Sequence, residues 1–446
     1  MGKINMHENN NRSVAFLTLG CKVNSYESDA MLKLFQEAGY EVREFNEKAD
    51  VYVVNTCTVT NIADRKSRQM LHKAKKQNEN SIVVAVGCYV QAAKDALEQD
   101  EAIDLVVGNN QKHNIVSLLE QYFEDDSKTQ ALIDINHDQE YEELTIDGAG
   151  EKTRAYIKVQ DGCNQFCSYC IIPYARGRVR SRKTEDVVNE VNRLVASGYK
   201  EVVLTGIHLS SYGVDLEEGN LLSLIVAISK IDGIERIRLG SLEPRVITEE
   251  FVQTLSKDEK FCPHFHLSLQ SGCDATLKRM NRKYSADEFY EKCCLIREYF
   301  DKPALTTDVI VGFPGETEEE FKTTKAFLEK VAFAQMHIFK YSKRKGTRAE
   351  VMPDQVDDSI KHARSTELME LEHRMRKAYE AEFIGQEEKI LFEESITIEG
   401  KEYQIGHTKR YLKVACESEK DLSNEIISVK ILENLTTDVM LSKIID

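Results

Sequence analysis

Cys163, Cys167 and Cys170 fall within eight residues, in the segment DGCNQFCSYCIIPYARG, with C-x3-C-x2-C spacing. Thiolates bind soft metal centres and are the protein ligands of iron–sulfur clusters. A structural zinc site is normally closed by four ligands. No local residue supplies a fourth here, and His208 and His264 are remote in sequence. Three thiolates on a four-iron cube leave one iron open to a reactant. Three buried thiols, or a three-cysteine zinc knot, is the alternative reading.

Three further cysteines, Cys21, Cys57 and Cys88, stand more than thirty residues apart. They share one offset: each directly follows a predicted strand, in TLG-Cys21, VNT-Cys57 and AVG-Cys88. In a parallel sheet the carboxyl ends of the strands gather along one edge. The three are therefore expected to converge into a second three-thiolate site with an open position. One buried cysteine per strand end is the alternative, and the repeated offset weighs against it. Cys262, Cys273, Cys293, Cys294 and Cys416 have no cluster-like grouping and read as structural.

The elements that must position these cysteines are legible as alternations of apolar runs and helical stretches. Residues 12–125 read as a wound, parallel α/β unit with strands at 14–20, 51–56, 82–87 and 103–108. Residues 126–148 are polar, acidic and without period, and read as a linker. A second α/β series occupies 149–380, with strands at 155–160, 201–206, 236–241, 265–270, 305–312 and 334–341. Six such units predict an incomplete barrel of parallel strands. The first cysteine triad then sits at the carboxyl end of the barrel's first strand, where such folds place ligands. Residues 382–446 change texture to short strands and predict a small β-barrel.

The 446 residues are 41% hydrophobic and 30% charged, enough for ample cores in several domains. No long apolar run predicts a membrane span, and the first residues do not read as a signal segment. The expected compartment is the cytoplasm. An odd count of 11 cysteines is a poor disulfide framework. The net charge of −16 argues against coating a nucleic acid non-specifically, so any RNA contact must be local.

The central segment resembles the radical S-adenosylmethionine (SAM) superfamily, whose motif is C-x3-C-x-aromatic-C. The whole chain is similar to the methylthiotransferases of that superfamily, through TLGCKVNSYES (18–28), NTCTVTN (55–61), VGCY (86–89), CNQFCSYCIIPYARGRVRSR (163–182), LQSG (269–272), DVIVGFPGETEEEF (308–321) and YSKRKGTRA (341–349). The resemblance implies a methylthiotransferase amino-terminal domain, a partial (β/α)6 radical SAM core and a TRAM-type RNA-binding β-barrel. It implies two 4Fe-4S clusters and SAM as cofactors. The Cys163/Cys167/Cys170 cluster would bind and cleave SAM to a 5′-deoxyadenosyl radical, and the Cys21/Cys57/Cys88 cluster would carry the sulfur. GCKVN and NTCTVTN are most similar to the branch that modifies C2 of N6-threonylcarbamoyladenosine at position 37 of tRNA. Other branches act on N6-isopentenyladenosine at that position, or on an aspartate of ribosomal protein S12. The implied partners are the tRNA anticodon loop and an electron donor of unknown identity; nothing points to a membrane or to DNA.

Within that frame, Tyr169 is implied to pack near the adenine of SAM. Gly206 and Gly312 are candidates to line the cofactor where backbone approaches closely. Ser241, Glu243 and Gln270 stand at strand ends and are candidates for its polar parts, with simple loop or capping duty as the alternative. The segment 175–183 (ARGRVRSRK) has five basic residues and no acid. Its Arg176, Arg178 and Arg180 are candidate RNA contacts, or else a solvated basic stretch. The carboxyl-terminal module carries eight basic against 15 acidic residues over 380–446, unlike an RNA-binding surface. Only the patch with Lys409, Arg410 and Lys413, and Tyr411 for stacking, is expected to hold RNA, with a role mainly in packing as the alternative.

Overall fold

A computed structural model describes residues 12–93, 97, 100–125, 129–137, 140–146 and 153–445. The first unit is one parallel sheet. Its strands are β1 Ser13–Thr18, β2 Glu41–Arg43, β3 Val51–Thr56, β4 Ile82–Gly87, β5 Leu105–Val107 and β6 Thr129–Ala131, in the order β2-β1-β3-β4-β5-β6. The apolar runs are continuous because the inner strands are covered on both faces. Thus Val51, Val53, Val84 and Val86 pack on one side, and Tyr52, Val54, Val83 and Ala85 on the other.

The linker expected over 126–148 is corrected in part. Thr129–Ala131 adds the sixth strand to the sheet. Further on, Leu144 and Ile146 join the main core, and the Tyr141 hydroxyl donates to the Lys158 carbonyl at 2.7 Å. A three-residue strand and scattered anchors carry no sequence period. The remainder of that stretch lies outside the described residues.

The second unit comprises β7 Arg154–Asp161, β8 Arg180–Ser181, β9 Glu201–Gly206, β10 Arg236–Leu239, β11 His264–His266, β12 Ala304–Val311 and β13 Gln335–Lys340. β7, β9 and β10 run parallel, as do β11, β12 and β13. Parallel bridges Ile237–Phe261 and Leu242–Leu267 join the two halves. The result is an open barrel of six parallel strands, with β8 as a short antiparallel edge. Ala155, Ile157, Val159, Phe265, Leu305, Val309 and Met336 point outward into the core under the helices. By strand alternation, Arg154, Tyr156, Lys158, His264, His266, Thr306, Asp308, His337 and Phe339 face the lumen. That lumen is polar.

Five strands, β14 Glu387–Ile398, β15 Lys401–His407, β16 Lys413–Cys416, β17 Ile426–Asn434 and β18 Met440–Ile444, close a barrel in the order β14-β15-β16-β18-β17. This module docks at the amino ends of the barrel strands, opposite the cysteines. Arg236 donates to the carbonyls of His407 (2.8 Å) and Lys389 (2.7 Å), and Arg238 to that of Lys409 (2.9 Å).

Candidate active site

Cys21 caps the amino end of helix Lys22–Glu37, Cys57 directly follows β3, and Cys88 opens the short helix Cys88–Ala92 after β4. Gly20 lets two of these approach. Its φ is +106°, and a Cβ there would lie 3.1 Å from the Cys57 sulfur. Arg176 Nε donates to the Cys88 sulfur at 3.1 Å. Burial pushes the Cys21 and Cys57 thiols up, the nearby Cys88 adds to this, and the Arg176 guanidinium pulls both back. The three cysteines thus meet around one cation. Cys21 and Lys22 remain reachable by water although they lie deep between two domains, so they line an internal space.

Arg176 is fully buried, which corrects its expected role in binding RNA. It bonds Glu27 (2.8 Å), Asp161 (3.2 Å) and the Asn24 side-chain oxygen (2.7 Å). Lys158 and Lys112 also pair with Glu27. These cations hold the Glu27 and Asp161 carboxyls well below the usual range despite their burial. Arg180 is likewise buried, donating to the Arg176 carbonyl at 3.0 Å. Arg178 is half-buried and stacks on the Phe166 ring, 4.6 Å from its centroid. The basic segment turns inward because its partners are acids far away in sequence.

The second triad sits on the loop after β7. Gly162 (φ +69°) precedes Cys163, and a Cβ there would collide with the Arg178 carbonyl oxygen at 1.7 Å. The loop is held by its neighbours: Ser168 N–H donates to the Met280 carbonyl (3.0 Å), and Asn281 to that of Phe166 (2.9 Å). Burial pushes the Cys163 thiol up to about 11 and Cys170 to about 12. Thiolates there need positive partners, which iron supplies. Arg282 donates to the Cys167 sulfur at 3.3 Å. Hydrogen bonds to sulfur of this kind tune iron–sulfur clusters. Among the described residues neither triad draws its three sulfurs mutually within 4.8 Å. Tetrahedral zinc, at 2.3 Å per bond, would bring thiolates to about 3.8 Å. Neither donor set has the spacing of a closed zinc site.

The two triads are joined through helix Ile172–Arg176, which starts two residues after Cys170 and ends at the residue touching Cys88. Five helical residues rise about 7.5 Å. Glu243 lies beside the second triad, pairing with Arg282 (2.9 Å) and His208 (3.2 Å) and raising the Cys163 thiol. Ser241 is exposed at the end of β10. Gln270 adopts φ +71° and bridges to Val309. Tyr169 packs edge-on against Phe313 at 6.3 Å. Gly206 closes β9 against Gln160, whereas Gly312 backs onto Lys361, so a Cβ there would meet a helix side chain at 2.3 Å.

In the carboxyl-terminal module, Lys409 and Arg410 serve docking, a correction to their expected RNA role. Lys409 donates to the Glu259 carbonyl, and Arg410 to those of Asp301 and Lys302 and to Glu388. Tyr411 does not offer its ring to a base. It stacks on His407 (4.6 Å) between Arg154 and Arg238, and closes the amino end of the lumen near His264. Lys413 is half-buried and lines the cleft beside this ring.

A basic rim emerges elsewhere. Arg65 and Lys66 on helix Asn61–Gln77, Lys340 at the end of β13, and Lys343, Lys345 and Arg348 after it are all exposed. The two segments are tied by Asn61 to the Lys343 carbonyl (2.6 Å) and by Arg344 to Asp64. Phe339, 52% exposed, stands at the rim on the lumen face. The runs DRK (64–66) and KRK (343–345) were the signal for this surface in the sequence.

Residues 13–108 match the uncharacterized protein family UPF0004, and residues 157–328 the radical SAM superfamily. The threonylcarbamoyladenosine tRNA methylthiotransferase MtaB of Bacillus subtilis (strain 168) is 41% identical over 94% of this chain and 94% of its own. The tRNA-2-methylthio-N(6)-dimethylallyladenosine synthase of Thermoanaerobacter sp. (strain X514) is 36% identical over 93% of this chain and 89% of its own. Among solved structures, the radical SAM methyltransferase TsrM from Kitasatospora setae shares the fold. Its TM-score is 0.59 at 16% identity, covering 76% of this chain and 74% of that one. No helix among the described residues is long and apolar enough to cross a membrane.

Proposed function

Since the chain belongs to the tRNA methylthiotransferases of the radical SAM superfamily, we propose that it places a methylthio group on C2 of N6-threonylcarbamoyladenosine at position 37 of tRNA. The reading is supported by the link between the two cysteine triads: helix Ile172–Arg176 begins two residues after Cys170, and its Arg176 donates to the Cys88 sulfur. Enzymes of this family use SAM and 4Fe-4S clusters. Cys163, Cys167 and Cys170 would hold the SAM-binding cluster, and Cys21, Cys57 and Cys88 the sulfur-carrying one. When bound, these groups supply the sulfur, the methyl and the radical that an unactivated C–H bond requires.

The chain's own residues do the rest. Arg176 and Arg282 donate to cysteine sulfurs and offset their negative charge. Glu243, with Ser241 and Gln270 at neighbouring strand ends, offers polar atoms to SAM, and Tyr169 and Gly206 border that site. The rim of Arg65, Lys66, Lys340, Lys343, Lys345 and Arg348 meets the phosphates of the anticodon arm, with Phe339 available to stack on a splayed base. A tRNA substrate places the reaction in the cytoplasm.

The test is anaerobic reconstitution followed by nucleoside mass spectrometry. With SAM and a reductant, the enzyme converts threonylcarbamoyladenosine in tRNA to its 2-methylthio form. The Cys57→Ala variant loses about half of the iron and makes no thiolated product, yet still yields 5′-deoxyadenosine. Unchanged iron in that variant, or thiolation of the isopentenyl nucleoside alone, would overturn the assignment.

A further inference from the structure

The lumen below the cages holds a group of side chains that the reaction chemistry above does not use. Lys22 directly follows Cys21 and reaches into the lumen, its Nζ 5.7 Å from the Tyr156 ring centroid. It makes no hydrogen bond or ion pair with any described residue. His337 on β13 is exposed to the same space, also without a hydrogen bond, its ring 5.8 Å from that of His266. His266 is already committed: Asp308 lies 3.2 Å from its Nε2, and the Thr306 hydroxyl 2.9 Å from its Nδ1. The ammonium of Lys22 is near enough to depress both His264 and His337. Two donors, one of them cationic, thus open onto water deep in the molecule with nothing to bind.

The ligand atoms of His266, Asp308 and His337 lie within 4.8 Å of one another, a grouping that also suits a metal ion. The surroundings favour an anion instead. Lys22 shares the lumen with the guanidinium groups of Arg154, Arg236 and Arg238, against the carboxylates of Glu201, Asp308 and Glu393. A divalent cation would add to an existing excess of positive charge. An alkenyl chain would displace water from both donors and return no hydrogen bond.

We propose that Lys22 and His337 receive the carboxylate of the threonylcarbamoyl side group and so make this lumen the selector of the carboxylated nucleoside. The proposal rests on the substrate reading above and names the residues that enforce it. Lys22 comes from the amino-terminal domain and His337 from the last barrel strand, so the selecting pair forms only where the two domains meet. Asp308 acts as a positioning residue: it fixes His266, against which the His337 ring lies.

The test measures binding of anticodon stem–loop RNAs to the reconstituted holoenzyme. One RNA carries threonylcarbamoyladenosine, a second its methyl ester, and a third unmodified adenosine. The parent enzyme is expected to prefer the carboxylate over the ester by about tenfold or more, the scale of one hydrogen bond to a charged group. Lys22→Met and His337→Phe should each cut that preference to below about threefold, and Lys22→Arg should retain most of it. Iron content and affinity for the unmodified RNA report whether each variant is intact. An undiminished preference in both intact variants would overturn the proposal, as would a preference abolished by a chelator that leaves the iron in place. Failure of the parent enzyme to thiolate the threonylcarbamoyl RNA would instead refute the substrate reading. The carboxylate preference is scored separately from that turnover.

Discussion

Arg176 binds across a domain boundary with every hydrogen it has. It meets Cys88 of one sheet edge, Glu27 of a helix in the same domain and Asp161 of the barrel. Removing one member of a buried ionic group leaves the others uncompensated, at a cost of about 3–5 kcal/mol. Arg176→Met is therefore expected to lower the melting temperature by several degrees and to release iron from the amino-terminal site, read by thermal unfolding and iron assay. The contribution of Glu27 and Asp161 has a definite pH sign. Both carboxyls sit below their ordinary values, so their stabilisation is present above the usual carboxylate range and fades as pH falls through and below it. The placing of Cys57 and Cys88 directly after strands was legible because that offset is a local pattern, whereas β1 ends at Thr18, three residues before Cys21. The fate of Arg176 was not, because its partner Glu27 is 149 residues away and only folding brings the two together.

At the scale of elements, the docking of the small barrel depends on a layer of charge at the amino ends of β7, β9 and β10. Glu201 is the anion of that layer. Burial resists its ionisation, but Arg238 and Arg154 overcome this and bring its carboxyl down to about 2. Its folded value lies below the ordinary 4.5, so its contribution is full above about pH 4.5 and is lost as pH drops toward 2. By linkage this amounts to on the order of 3 kcal/mol. Acid titration followed by limited proteolysis should open the segment between helix Asp358–Ala381 and β14 in that window. Glu201→Gln should be cleaved there already at pH 6. The barrel's strands were readable as short alternating runs. Their docking was not: Lys409, Arg410 and Tyr411 looked like an RNA patch, and their partners are backbone carbonyls and rings that no sequence pattern displays.

At the scale of the whole molecule, the proposed RNA contact lies along the seam where Arg65 and Lys66 meet the basic segment 343–348. Charge reversal of Lys343 and Lys345 is expected to weaken tRNA binding and to reduce the salt dependence of affinity by about one unit of slope for each phosphate no longer neutralised. Arg410→Ala, by contrast, should lower thermal stability and leave that slope unchanged. Phe339→Ala should cost about 1–3 kcal/mol of RNA affinity if its ring stacks on a base, measured at fixed salt.

The helix from Ile172 to Arg176 acts as a rigid spacer. One end is covalently continuous with the cysteine loop, and the other is pinned by Asn24, Glu27 and Asp161. An inserted residue would swing its final side chain by about 100° and withdraw it from Cys88. The gap between the two cysteine triads is therefore set by the fold, and any pair of reactive groups they hold inherits it.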